Sequence, residues 1–82
     1  MKTQNTANAT KKMRGVSEQS IIKVLVNFKC IGRPGRLWRS FTQSQRSYIL
    51  DELIRRGYMD EHINVLPASR EIVTANLHLC EA

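Results

Sequence analysis

Apolar residues recur along the chain in two clear helical patterns. Ile21, Ile22, Leu25, Val26 and Phe28 share one broad face if residues from about 18 onward are helical, and Ser17 to Ser20 supply N-cap side chains in front of them. The β-branched residues Ile21, Ile22, Val24 and Val26 also suit a strand, but the length of the run and its cap favour a helix. The second pattern is sharper. Thr42-Gln43-Ser44-Gln45 is a Thr-x-x-Gln capping box, and Phe41 stands where an apolar staple would sit. Ile49, Leu50, Leu53 and Ile54 then follow at helical spacing, and Gly57 closes the run. This pattern predicts a helix over about 42–56 with Arg55 and Arg56 in its last turn, where cations complement the helix dipole.

Between the two patterns, Gly32, Pro34 and Gly35 mark a turn, after which a short helix can open on Pro34 and bury Leu37, Trp38 and Phe41. Beyond Gly57, the acidic bend Asp60-Glu61 leads into His62 to Leu66, where Ile63 and Val65 alternate with polar neighbours as in a short strand. Pro67 to Val73 reads as a further helix opening, with Ile72, Val73 and Leu77 on its apolar side. Residues 1–16 carry no aromatic side chain and read as a disordered basic arm. The expected organisation is therefore one domain over 17–82, mostly α with a short β element, behind an arm over 1–16.

Composition narrows the class. Of the 82 residues, 41% are hydrophobic and 24% charged, which suits a globular domain and excludes a wholly disordered chain. No apolar run approaches the ~20 residues of a membrane span, and no secretory core follows Met1-Lys2. Two cysteines, Cys30 and Cys80, are too few for a disulfide-built miniprotein, so free thiols in a cytoplasmic protein are the default, with Cys30 a small buried apolar residue. The net charge of +6 is uneven: residues 1–17 carry +4, residues 18–46 carry +5 and residues 47–82 carry −3. A basic front of this kind suits a polyanionic partner.

The stretch Ile49-Leu50-Asp51-Glu52-Leu53-Ile54-Arg55-Arg56-Gly57-Tyr58-Met59 resembles the end of the recognition helix in winged helix-turn-helix DNA-binding regulators, and Leu66-Pro67-Ala68-Ser69-Arg70-Glu71-Ile72-Val73 resembles the exit from their wing. The resemblance runs over about residues 17–77. It implies a small winged-helix-like domain of three to four helices, with residues 21–28 in the first helix and 34–40 in a degenerate second one. It also implies a third helix whose exposed N-terminal half, Gln43, Ser44, Gln45, Ser47 and Tyr48, enters a major groove of double-stranded DNA. Glutamine can bridge the two polar groups on an adenine edge, and hydroxyls reach phosphate or base. The same residues also serve a bland role as cap and solvent face. The sequence departs from the family at Arg46, where an aliphatic side chain usually packs, in the broken second helix, and in residues 60–66, which are short for a wing.

Gly32-Arg33-Pro34-Gly35-Arg36 resembles a partial AT-hook, with Ile31 where that motif begins with arginine. Arg33, Arg36 and Arg39 are thus candidate nucleic-acid contacts with Trp38 as a stacking surface, although a turn beside a core tryptophan accounts for the same residues. Cys30, His62, His78 and Cys80 lack zinc-finger spacing, so no metal is expected. No phosphate loop, zincin motif or nucleophile elbow is present, which argues against an enzyme, and no cofactor is implied. Two functions remain open. One is a small DNA-binding transcriptional regulator. The other is an adaptor or inhibitor, viral or from a mobile element, that binds an acidic host protein. Either could act as a homodimer through the C-terminal helix.

Overall fold

The computed structural model describes residues 13–82. Its mainly helical fold is built around α1 (Glu18–Ile31). Ser17 caps this helix, its Oγ accepting the Ser20 N–H at 3.1 Å, and Gly32 ends it in the left-handed conformation. Val24, Leu25, Val26 and Asn27 are consecutive and all fully buried. Four buried residues in a row span the whole circumference of a helix, so α1 is a central rod and not a surface helix with one wet side. That is why its sequence carries so many β-branched residues: tertiary packing from several directions overrides their weak helix preference.

After the Gly32–Gly35 turn comes a five-residue 3-10 helix, Arg36–Ser40. It opens on Gly35 and not on Pro34, so the expected proline-led helix is displaced by two residues. Phe41 is buried, while Leu37 and Trp38 are half-buried against the same core. Trp38 meets Phe28 edge to face at 6.5 Å.

The helix expected over 42–56 is α2 (Gln43–Arg55). Its capping box is complete, with Thr42 Oγ1 accepting the Gln45 N–H at 3.1 Å and Gln45 Oε1 accepting the Thr42 N–H at 2.7 Å. At the other end the Gly57 N–H bonds the Ile54 carbonyl and the Tyr58 N–H bonds the Leu53 carbonyl, both at 3.0 Å. This Schellman closure needs a left-handed residue at position 57, where φ is 81°. Ile49 and Leu53 are fully buried and Leu50 is half-buried, which agrees with the pattern; Ile54 is 38% exposed and lies at the edge of the apolar stripe.

The expected strand reduces to a single antiparallel bridge, Met59 to Val65. Asp60 folds the intervening turn: Oδ1 accepts the His62 and Asn64 N–H groups at 2.9 Å, and Oδ2 accepts from the Asn64 amide. A 3-10 turn, Pro67–Ser69, leads into α3 (Arg70–Ala75), which packs on α1. Asn76 stops α3 after six residues, its Nδ2 donating to the Ile72 carbonyl at 2.8 Å. The chain then turns through Leu77–Leu79, so Leu79 reaches the core and Leu77 is 51% exposed, contrary to the apolar face expected for it. The C-terminal helix on which a homodimer would depend is correspondingly short.

Two further expectations differ from the structure. The arm proposed for residues 1–16 falls mostly outside the described residues, but its end is ordered: Met13–Val16 is a turn, Val16 is buried and Met13 packs on the core. The arm reading overlooked that Val16 and Met13 together give the turn an apolar anchor. The free thiols are also overturned, because Cys30 and Cys80, 50 residues apart, are joined in a disulfide. Cys30 is exposed at the last turn of α1 and is not a core residue.

This core gives a direct test. Leu53→Ala should cost about 2–5 kcal/mol, a large share of the stability of so small a domain. Asn27→Ala should cost about 1–3 kcal/mol, because it strands backbone groups that the amide now satisfies. Chemical denaturation of each variant checks both.

Candidate nucleic-acid interface

The three arginines of the central turn come together. Arg33, Arg36 and Arg39 are exposed, and they line one open hollow with Ile31, Pro34, Gly35, Trp38 and Glu81. Among the described residues no ion pair engages any of their guanidinium groups. The Gly32–Gly35 turn raises them from the end of α1, and the 3-10 helix spaces Arg36 and Arg39 one turn apart on the same side.

Trp38 is less free than a stacking platform would be. One ring edge meets Phe28, and the Arg46 guanidinium lies 5.5 Å from the ring centroid. Arg46 Nε also donates to the Trp38 carbonyl at 3.0 Å. The arginine that stands in an aliphatic position therefore closes the joint between the 3-10 helix and α2 by cation–π and hydrogen bonding. Its charge stays half-exposed, so no unpaired guanidinium is buried.

The helix residues divide into two groups. Gln43, Ser44 and Ser47 are exposed, and their side chains make no hydrogen bond among the described residues. Gln45 and Tyr48 are differently occupied. Gln45 spends its carbonyl oxygen on the capping box and donates Nε2 to the Arg14 carbonyl at 3.1 Å. Both ends of its amide are thus engaged within the fold, with one acceptor site and one N–H left over. Tyr48 is half-buried and faces Val16, Glu18 and Ile21 at the start of α1. The solvent face of α2 thus runs through Gln43, Ser44 and Ser47 to Asp51 and Arg55.

Below that face lies an ion network that the sequence reading passed over. Glu52 is buried, and its carboxylate takes Arg55 in a two-pronged contact at 2.8 and 3.0 Å and Arg56 Nε at 3.2 Å. Arg56 in turn grips Glu18 with both terminal nitrogens, at 2.6 and 2.8 Å. The end of α2 is thereby tied to the start of α1. The Arg55 hydrogen bonds, together with the Arg55 charge and the hydrogen bond and charge of Arg56, outweigh burial and hold the Glu52 carboxyl below the usual carboxylate range. Glu52 at i with arginines at i+3 and i+4 was the available signal.

The last segment has a similar hidden anchor. Asn27 Nδ2 donates to the Lys23 carbonyl at 2.8 Å and to the Leu79 carbonyl at 3.2 Å, while its Oδ1 accepts the Glu81 N–H at 2.8 Å. A polar residue inside Val24-Leu25-Val26-Asn27-Phe28 was its only trace in the sequence. Glu81 continues to the basic hollow, with Oε1 accepting the Arg36 N–H at 3.0 Å and Oε2 lying 3.6 Å from Lys23 Nζ.

The His and Cys residues do not converge. Cys30 and Cys80 are bonded to each other, His62 and His78 are exposed, and no group of three or more potential ligands gathers among the described residues. No described helix is long and apolar enough to cross a membrane. No protein-family model, curated protein or solved structure matches the chain.

The network sets a pH dependence. A carboxylate whose folded pKa is depressed contributes stability above its unfolded pKa and loses it as pH falls through the folded value. Stability should therefore drop on acidification from neutral pH to about pH 3. Asp60, lowered by hydrogen bonds from Asn64 and His62, acts in the same direction. Denaturation midpoints across this range should fall less steeply for Glu52→Gln than for the wild type.

Proposed function

We propose that this chain is a small, non-enzymatic, winged-helix-like DNA-binding protein that regulates transcription. The observation that carries the reading is the cluster of Arg33, Arg36 and Arg39, exposed and without ion-pair partners among the described residues, on the segment that delivers the start of α2. The order of elements supports it: a first helix, a one-turn second helix, a capped third helix, then a β-bridge in the place of a wing. The arginines would hold phosphates, which fixes register without reading sequence, and Gln43, Ser44 and Ser47 would meet base edges. Gln45 and Tyr48 are less available for that role, one engaged in the cap and the other half-buried. A one-bridge wing would add little contact, so phosphate attraction would dominate affinity. The proposed setting is cytoplasmic, where the Cys30–Cys80 bond would meet reducing thiols.

A second reading has its own observation. Asp51 and the partly exposed Ile54 lie further along α2 than the polar face, and neither favours phosphate. An adaptor that binds an acidic host protein would use the arginine cluster while Ile54 supplied an apolar contact.

Gel-shift titrations on duplex DNA at several salt concentrations separate the two. Each of Arg33→Gln, Arg36→Gln and Arg39→Gln should weaken binding to all sequences alike and flatten the log–log salt slope by about one unit. Substituting Gln43 should instead alter preference at one or two base pairs, by about 1–3 kcal/mol. Absence of duplex binding at low salt would overturn the DNA reading and leave the adaptor.

A further inference from the structure

Glu81 is the one acid among the residues that line the arginine hollow and the adjoining hollow of Lys23, Arg36, Leu37 and Ser40. It does not drift there from a loose end. Its own N–H is held by the buried Asn27, its carboxylate bonds the Arg36 N–H and approaches Lys23, and the residue before it is Cys80, bonded to Cys30. A carboxylate fixed among cations lowers their attraction for any incoming anion. The bond that fixes it is within reach of solvent, since Cys30 is exposed. Without that bond, residues 77–82 are retained by two hydrogen bonds to Asn27, the Arg36 N–H bond to the Glu81 carboxylate, the packing of Leu79 and an ion pair with a partly exposed lysine, each modest on its own.

We propose that residues 77–82 are a thiol-gated strap: while Cys30 and Cys80 are joined, Glu81 damps the basic face, and reduction releases it and strengthens nucleic-acid binding. The proposal rests on the DNA-binding reading above and adds its regulation. The chemistry is ordinary exchange with a dithiol reductant. The dithiol supplies two electrons and two protons, the Cys30–Cys80 bond opens to two thiols, and the reductant closes to its own disulfide.

The test compares oxidised wild type, wild type reduced with dithiothreitol, and oxidised Glu81→Gln on one duplex at low salt. Glu71→Gln is the control, since it makes the same charge change on an exposed residue of α3. Reduction and Glu81→Gln should each tighten binding about threefold or more, against less than twofold for Glu71→Gln, and reduction of Glu81→Gln should add little. Amide exchange at Glu81, read without DNA, should accelerate on reduction. Equal affinities of the oxidised and reduced wild type, or an unchanged Glu81 exchange rate, would overturn the strap. Should the reduced protein lose its fold, oxidised Glu81→Gln decides instead, and an affinity no higher than that of Glu71→Gln overturns the damping. Failure of every form to bind duplex DNA would overturn the damping together with the functional reading, while the exchange rate still decides whether the strap opens.

Discussion

A single buried amide organises this domain. Asn27 sits in the middle of the most apolar stretch of the chain, fully excluded from water, and such a group is tolerated only when its donors and acceptor are satisfied. The partners come from its own helix and from a segment more than fifty residues away. With the Cys30–Cys80 bond closed, residues 79–81 lie across α1 and satisfy the rest of the amide. Gly35 belongs to the same arrangement. A Cβ there would come within 2.9 Å of the Glu81 carboxylate and 3.3 Å of Asn27, so the central turn can approach only without a side chain. Hydrophobic burial makes this chain compact, and the amide selects which compact arrangement it adopts.

The cations are deployed in two ways that composition does not distinguish. Arg55 and Arg56 neutralise Glu52 and Glu18 and join two helices, whereas Arg33, Arg36 and Arg39 project into solvent. Arg46 is a third case, a cation used for its planar face against an indole. The net charge is therefore a poor measure of the available field, and the location of unbridged guanidinium groups is a better one.

Local signals were legible and long-range ones were not. Thr42 and Gln45 define their cap within four residues, and Gly57 defines the end of α2, so both boundaries could be read directly from the sequence. The Ser17 cap was legible for the same reason. Asp60 could be seen as a bend, but not that its carboxylate would collect three donors and reduce a strand to one bridge. Cys30 and Cys80 are 50 residues apart and meet where the last segment crosses α1, and no spacing rule carries that. Among the candidate site residues, exposure separated Gln43, Ser44 and Ser47 from Gln45 and Tyr48. The periodic pattern alone gave all five the same standing, because a residue that caps a helix and one that reads a partner share the first turn.

The hydrogen bond from Gln45 to the Arg14 carbonyl fixes the point at which the chain enters the domain. Residue 14 is thereby held within one side chain of the first turn of α2, so the cap of α2 and the approach to α1 form a single joint: the amide that closes one helix start also pins the turn that leads into the other.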